Sequence, residues 1–151
     1  MTLAAPGGAD PFWRTKRLAE LSPAEWESLC DGCGKCCLLK LRDPDNGRLS
    51  FTDVACQLLD LQTCRCTRYA ERHAIVPDCL PLTLDQVQSA DWLPSTCAYR
   101  LVNEGQDLPA WHPLRTGDPA SVHRAGQSAR GRAIPERNVK RLCARIVKWP
   151  K

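Results

Sequence analysis

The chain has 151 residues, with 21 Lys/Arg against 17 Asp/Glu and ten cysteines. That length suits a single domain, and no stretch approaches the ~20 consecutive apolar residues of a membrane-spanning helix. Twelve prolines and a 43% hydrophobic content that counts the cysteines themselves imply a modest core, so the fold needs cross-links beyond ordinary packing.

In chain order, residues 1–10 are small, polar and Gly/Pro-containing and are expected to be disordered. Phe12, Trp13, Leu18 and Leu21 form an apolar-periodic segment. Ser22-Pro23-Ala24-Glu25 reads as a capping box with proline at the first helical position, so a short helix should run from Pro23 to about Leu29 and deliver Cys30. Two apolar runs, 38–42 and 48–54, flank Asp43-Pro44-Asp45-Asn46-Gly47, and Asn-Gly is a strong turn signal. A β-hairpin there would bring Cys37 and Cys56 to one place. Cys64-Arg65-Cys66 leads into a short helix near 68–73, and Pro77-Asp78-Cys79 reads as a turn. Thr83 should cap a helix over 84–89, and Ser95 another across Cys97 to Asn103 that stops at Gly105. Residues 108–117 read as a loop, 118–126 as a short helix and 128–134 as a strand. Val139, Leu142, Cys143, Ile146 and Val147 are spaced as one helical face, which predicts a basic amphipathic C-terminal helix over 136–151 packed on a cysteine-rich domain at 11–135. The expected fold class is α+β: small, irregular and loop-rich, a hairpin and short helices organised around cysteine metal sites.

Ten cysteines are used either as disulfides or as metal ligands. The first ten residues lack the basic start and apolar run of a secretory signal, so the expected location is the reducing cytoplasm, where stable disulfides are uncommon. Adjacent cysteines such as Cys36-Cys37 do not readily pair with each other. Both arguments favour metal. The charge of +4 assumes neutral thiols. Eight thiolates on two divalent ions add about −4, so the overall basicity is no argument for nucleic acid. Its distribution is more telling: residues 124–151 hold nine Lys/Arg and one acid, while residues 1–123 hold 12 Lys/Arg and 16 Asp/Glu. The basic tail is a candidate contact surface.

The cysteine pattern opens Cys30-Asp-Gly-Cys33-Gly-Lys-Cys36-Cys37. Cys-x-x-Cys spacing aims two thiolates at one ion, and glycine after the second cysteine suits the tight knuckle of Zn–S and Fe–S sites. Adjacent Cys36 and Cys37 cannot both chelate one ion comfortably, so they are expected to serve different ions or a bridged cluster. Cys56, Cys64, Cys66, Cys79 and Cys97 complete nine candidate ligands, with His73 the only histidine among them. Pure thiolate sites select zinc, Fe–S clusters or Cu(I). Two four-sulfur sites with one cysteine to spare fit the count, and so does one multinuclear cluster. Cys64 stands as either a ligand or a spare thiol, and Cys143 reads as a core residue of the last helix. His73 reads as a surface residue, and His112 and His123 as structural. Trp92, Trp111 and Tyr99 read as core anchors.

The Cys30–Cys37 segment, Phe51-Thr-Asp-Val-Ala-Cys56, Trp92-Leu-Pro-Ser-Thr-Cys-Ala-Tyr-Arg100 and Glu104-Gly-Gln-Asp-Leu-Pro-Ala-Trp-His-Pro-Leu114 together resemble the bacterial YcgN family. That family lies within a broader group named for its CxxCxxCC motif and associated with zinc or iron chelation. The resemblance spans roughly residues 11–135. It implies that Cys30, Cys33, Cys36, Cys37, Cys56, Cys64, Cys66, Cys79 and Cys97 match family cysteines, and it gives Cys143 no counterpart.

The sequence thus leads to a cysteine-cluster protein that binds zinc or iron, with more than one ion and no acid–base constellation of an enzyme. One alternative is an Fe–S redox or radical enzyme. Another is a metal-stabilised module that binds nucleic acid or an acidic partner through Arg130, Arg132, Arg137, Lys140, Arg141, Arg145 and Lys148. For that second alternative the interleaved aromatics of a single-strand binder are nearly absent, with only Trp149 available.

Overall fold

The structure is a computed structural model that describes residues 10–76, 79, 82–89 and 91–150. The expectation for residues 1–9 lies outside the described residues, as do Pro77 and Asp78 of the predicted turn.

The fold is α+β, small and rich in loops. Short helices α1 (Phe12–Thr15) and α2 (Pro23–Ser28) lead in, with a 3-10 turn at Leu18–Glu20 between them. The capping box forms as the sequence predicts: Glu25 N donates to Ser22 Oγ at 3.1 Å and Ser22 N to Glu25 Oε1 at 2.9 Å. The hairpin also forms, from β1 (Leu38–Arg42) and β2 (Leu49–Ala55) in antiparallel register. Asp43 N donates to Arg48 O across its turn, where Gly47 takes the left-handed backbone at φ 70°. Helices α3 (Arg72–Ile75), α4 (Leu84–Ser89) and α5 (Ala98–Asn103) follow near their predicted places. The N-cap of α5 is Cys97 rather than Ser95.

The predicted loop at 108–117 contains a short helix, α6 (Pro113–Thr116), and α7 (Ser121–Arg124) comes after it. The predicted strand at 128–134 shrinks to β3 (Ile134–Pro135), because Ala129 to Ala133 close into a turn in which Ala133 N donates to Ala129 O.

The predicted C-terminal helix is not formed. Residues 136–150 make two 3-10 turns, Glu136–Asn138 and Leu142–Arg145, and a strand, β4 (Ile146–Val147). The reason is the sheet. Strand β2 is its centre, antiparallel to β1 on one side, with parallel β3 and antiparallel β4 beside it on the other. Phe51 through Ala55 are all buried, so that edge needs backbone partners, and the β-branched pair Ile146-Val147 supplies them. Arg145 adds a bidentate pair to the half of β2 it crosses, Nη2 to Asp53 Oδ2 at 2.6 Å and Nε to Oδ1 at 3.0 Å. Cys143 is consequently exposed beside Arg141 and is not a core residue.

Two apolar cores result. One joins Leu18, Leu29, Val87, Leu93, Tyr99, Val102 and Leu108, with Trp26 and Trp92 packed on it. The other joins Leu38, Ala55, Leu59, Cys64 and Ala129. Residues 30–37 run from the first to the second, so the cysteine motif links the two cores. Among the described residues no helix is long and apolar enough to cross a membrane.

Candidate metal centre

The motif is a pair of consecutive knuckles. Cys33 N donates to Asp31 Oδ1 at 3.0 Å, and Lys35 N donates to Cys33 Sγ at 3.5 Å. The Gly32 amide plays the corresponding part toward the Cys30 sulfur. Gly32 and Gly34 take φ of 80° and 75°. A 3-10 turn, Lys35–Cys37, then carries Cys36 and Cys37.

Remote segments pin this loop by its carbonyls. His112 Nε2 donates to Leu29 O at 2.7 Å, one residue before Cys30. Ala129 N donates to Cys33 O at 2.7 Å, and Cys56 N to Cys37 O at 2.9 Å. Tyr99 Oη donates to Trp26 O at 2.6 Å at the end of α2. The hairpin therefore brings Cys37 and Cys56 together, as expected. Sequence reasoning missed His112, Tyr99 and Ala129 in this role, because each acts from 73 to 96 positions downstream, where no local pattern reports a contact.

A Cβ on Gly34 would stand 3.0 Å from the Cys64 Cβ, at an already left-handed φ. Gly34→Ala should therefore cost about 2–3 kcal/mol in chemical denaturation. Gly47→Ala, with the same backbone sign and nothing within 4 Å, should cost only about 1 kcal/mol. Equal costs at the two positions would refute the close approach.

The thiols influence one another in two sets. Burial raises Cys30 to about 11, with the Cys36 charge adding to it. Burial also raises Cys33, followed by Asp31 and Cys36. Cys36 and Cys37 share a hydrogen bond that lowers Cys36 and raises Cys37. Cys97, at the start of α5, is raised to about 12 by burial, against the opposing amides of Arg100 and Tyr99, and feels Cys36 and Cys30. These five form the first set. Burial raises Cys79 in the second set, which it forms with Cys56 and Cys66. The bridge between Leu59 and Cys66 folds the 56–67 loop back on itself and brings Cys66 toward Cys56. The sets meet where Cys37 feels Cys56. Cys30 and Cys36 are exposed residues although their sulfurs stand in crowded surroundings, so the cluster opens to solvent on that side.

Cys64 stands apart. It is buried in the second core at a left-handed φ of 58°, its thiol bonded to the Ser128 hydroxyl. It packs behind Gly34 as part of the wall supporting the knuckle. His73 is exposed and its Nδ1 bonds Cys79 O at 2.8 Å. His123 Nδ1 bonds Ser128 Oγ at 2.8 Å.

All ten cysteines are free thiols. Among the described residues no three Cys, His, Asp or Glu side chains are grouped closely enough to hold a metal ion. The donor chemistry nonetheless fits a thiophilic divalent ion: sulfur donors, amide N–H groups aimed at them and no competing carboxylate pair. In the basic tail, Arg130 donates to Gln62 O, Arg132 to Gly126 O, and Arg145 pairs with Asp53. Arg137, Lys140, Arg141 and Lys148 remain on the surface.

Residues 29–98 match the CxxCxxCC family, described as a "putative zinc- or iron-chelating domain". A UPF0260 protein of Granulibacter bethesdensis is 61% identical over 140 residues, covering 93% of this chain and 84% of the relative. One from Parvibaculum lavamentivorans is 54% identical, covering 93% and 94%. One from Rhizorhabdus wittichii is 60% identical, covering 85% and 88%. No solved structure matches the chain.

Proposed function

The chain belongs to the UPF0260 family, and from that membership and the thiol geometry we propose that it binds zinc or iron in two adjoining thiolate centres. The first is drawn from Cys30, Cys33, Cys36, Cys37 and Cys97, the second from Cys56, Cys66 and Cys79, with Cys37 at the junction. Cys64 buttresses the first centre and is not a ligand. The protein works as a metal-binding module in a reducing compartment rather than as an enzyme.

What supports this reading is the gathering of cysteines from five segments, the motif loop, the hairpin end, the 64–66 loop, Cys79 beyond α3 and the start of α5: Cys56 N bonds Cys37 O, the Leu59–Cys66 bridge turns Cys66 toward Cys56, and Lys35 Nζ bonds Thr96 Oγ1 beside Cys97. Thiols buried together are costly to ionise unless a cation is added. A divalent ion supplies that cation, and its binding energy then becomes folding energy. The second set has three sulfurs, which suits an ion that also takes a ligand from elsewhere.

Elemental analysis of anaerobically purified protein tests this. More than one zinc or iron per chain is expected, with Cys97→Ser depleting the first centre and Cys79→Ser the second. Colourless protein with zinc selects mononuclear sites, and broad brown absorbance selects Fe–S clusters. Protein that takes up neither metal on reconstitution would sink the proposal.

A further inference from the structure

Two ammonium groups are enclosed beside the first set of thiols without a carboxylate to meet them. Lys35 is 3% exposed, and its Nζ donates to Thr96 Oγ1 at 3.3 Å, next to Cys97. Lys40 is half-buried, and its Nζ donates to Leu38 O at 2.6 Å, Cys36 O at 3.3 Å and Lys35 O at 3.4 Å. The same ammonium lies 6.0 Å and 5.9 Å from the ring centroids of Phe51 and Trp92. Among the described residues neither lysine has an ion pair with Asp or Glu, whereas Arg14, Arg42 and Arg145 pair with Asp107, Asp91 and Asp53.

Lysine is almost never fully buried unless paired, because an enclosed ammonium loses its hydration. Hydroxyl and carbonyl dipoles recover part of that loss and leave the charge itself uncompensated. The loop that holds Lys35 and leads into Lys40 carries the Cys33, Cys36 and Cys37 sulfurs and one buried carboxylate, Asp31, whose Oδ1 accepts from Cys33 N. Lys35 sits between Cys33 and Cys36 in the knuckle, and Lys40 bonds the Cys36 carbonyl. The Lys40 ammonium is disfavoured by burial and supported by Cys36, Cys37 and Cys33.

We infer that Lys35 and Lys40 are the built-in counter-ions of the first thiolate centre and set its affinity for metal. This inference rests on the metal-binding reading above. Ligand cysteines bind as thiolates, so four of them around one divalent ion keep a net charge of about −2. Two ammoniums offset most of that charge and of the buried Asp31 carboxylate beside it, inside a low-dielectric wall where compensation is worth most. The lysines are positioning residues for the loaded state: they touch neighbouring backbone and hydroxyl groups and act on the metal through the charge of its ligands. They also make the metal-free state the costlier one for themselves, which biases the loop toward occupancy.

The test is zinc affinity of the full-length chain, read by competition with a chromophoric chelator, for wild type, Lys35→Met, Lys40→Met and Lys40→Arg. Each methionine variant should bind zinc about 10- to 100-fold more weakly, and the arginine variant should stay close to wild type. Melting of the metal-free proteins gives the second readout. Methionine should leave it unchanged or raise it, since it removes a buried charge, while the zinc-loaded melting falls. Methionine variants with wild-type zinc affinity would overturn the assignment. So would equal destabilisation with and without zinc, because that is the mark of a purely structural lysine. A wild-type chain that binds no zinc or iron sinks the metal reading and this inference with it, whatever the variants do.

Discussion

Cys33→Ser should lower the melting temperature of zinc-loaded protein by roughly 10 °C and leave the metal-free protein within a few degrees of wild type. Cys33 is buried at the middle of the motif, its carbonyl held by Ala129 N and its sulfur by Lys35 N–H. Serine keeps the size and the carbonyl tie, so the unloaded loop loses little more than one weak N–H···S contact. The loaded state loses a ligand. A metal present at 100 to 1,000 times its dissociation constant contributes about 3–4 kcal/mol of stability, and for a chain of this size each kcal/mol moves the midpoint by roughly 3 °C. Cys143→Ser is the control. That thiol is exposed beside Arg141, outside both sets, and its replacement should change neither metal content nor melting. Full metal content and unmoved melting in Cys33→Ser would show that the knuckle is not a ligand.

The contrast between Cys33 and Cys143 shows what a sequence reveals here and what it hides. Cys33 declares itself through local chemistry: a Cys-x-x-Cys spacing with glycine behind it, readable within eight residues. The hairpin at 38–55 and the capping box at Ser22 are legible for the same reason, since turn and cap signals act over two to four positions. On the sequence, residues 139, 142, 143, 146 and 147 fit a helical face, which makes Cys143 read as a core residue. The β-branched pair Ile146-Val147 also suits an edge strand, and the open side of β2 takes it up, leaving Leu142–Arg145 as a 3-10 turn. That decision belongs to tertiary structure. Lys35 and Lys40 are hidden in the same way. On the sequence they are two unremarkable cations in a chain rich in them, and only the enclosure of their ammoniums beside sulfur marks them out. The partition of the cysteines is likewise a property of the fold, because it depends on α5 bringing Cys97 back to Cys30 across 66 intervening positions.

His112→Ala should be the most damaging change outside the cysteines, costing about 3–5 kcal/mol in chemical denaturation. The imidazole is fully buried, accepts from Leu114 N at Nδ1 (3.0 Å) and donates from Nε2 to Leu29 O (2.7 Å). Alanine leaves both backbone groups without a partner and opens a cavity under the first core. The side chain also caps α6, whose first residue is Pro113, so the loop entering that helix loses its anchor. The bonding pattern requires the neutral ring protonated at Nε2, and burial pushes His112 below its ordinary value. The pH dependence follows from that direction. Above about pH 6.5 the ring is neutral in both the folded and the unfolded chain, and the full stability is present. As pH falls below that point the unfolded chain takes up a proton that the folded chain resists, so stability declines until the folded ring protonates too. His112→Gln can be neutral throughout, and the difference between its stability–pH curve and that of wild type isolates this contribution from His123 and the carboxylates. Curves that stay parallel between pH 7 and 5 would rule out a buried neutral imidazole. Curves that diverge locate the acid-sensitive contact at the start of α6, since a proton on Nδ1 displaces the Leu114 N–H while the Nε2–H bond to Leu29 O persists.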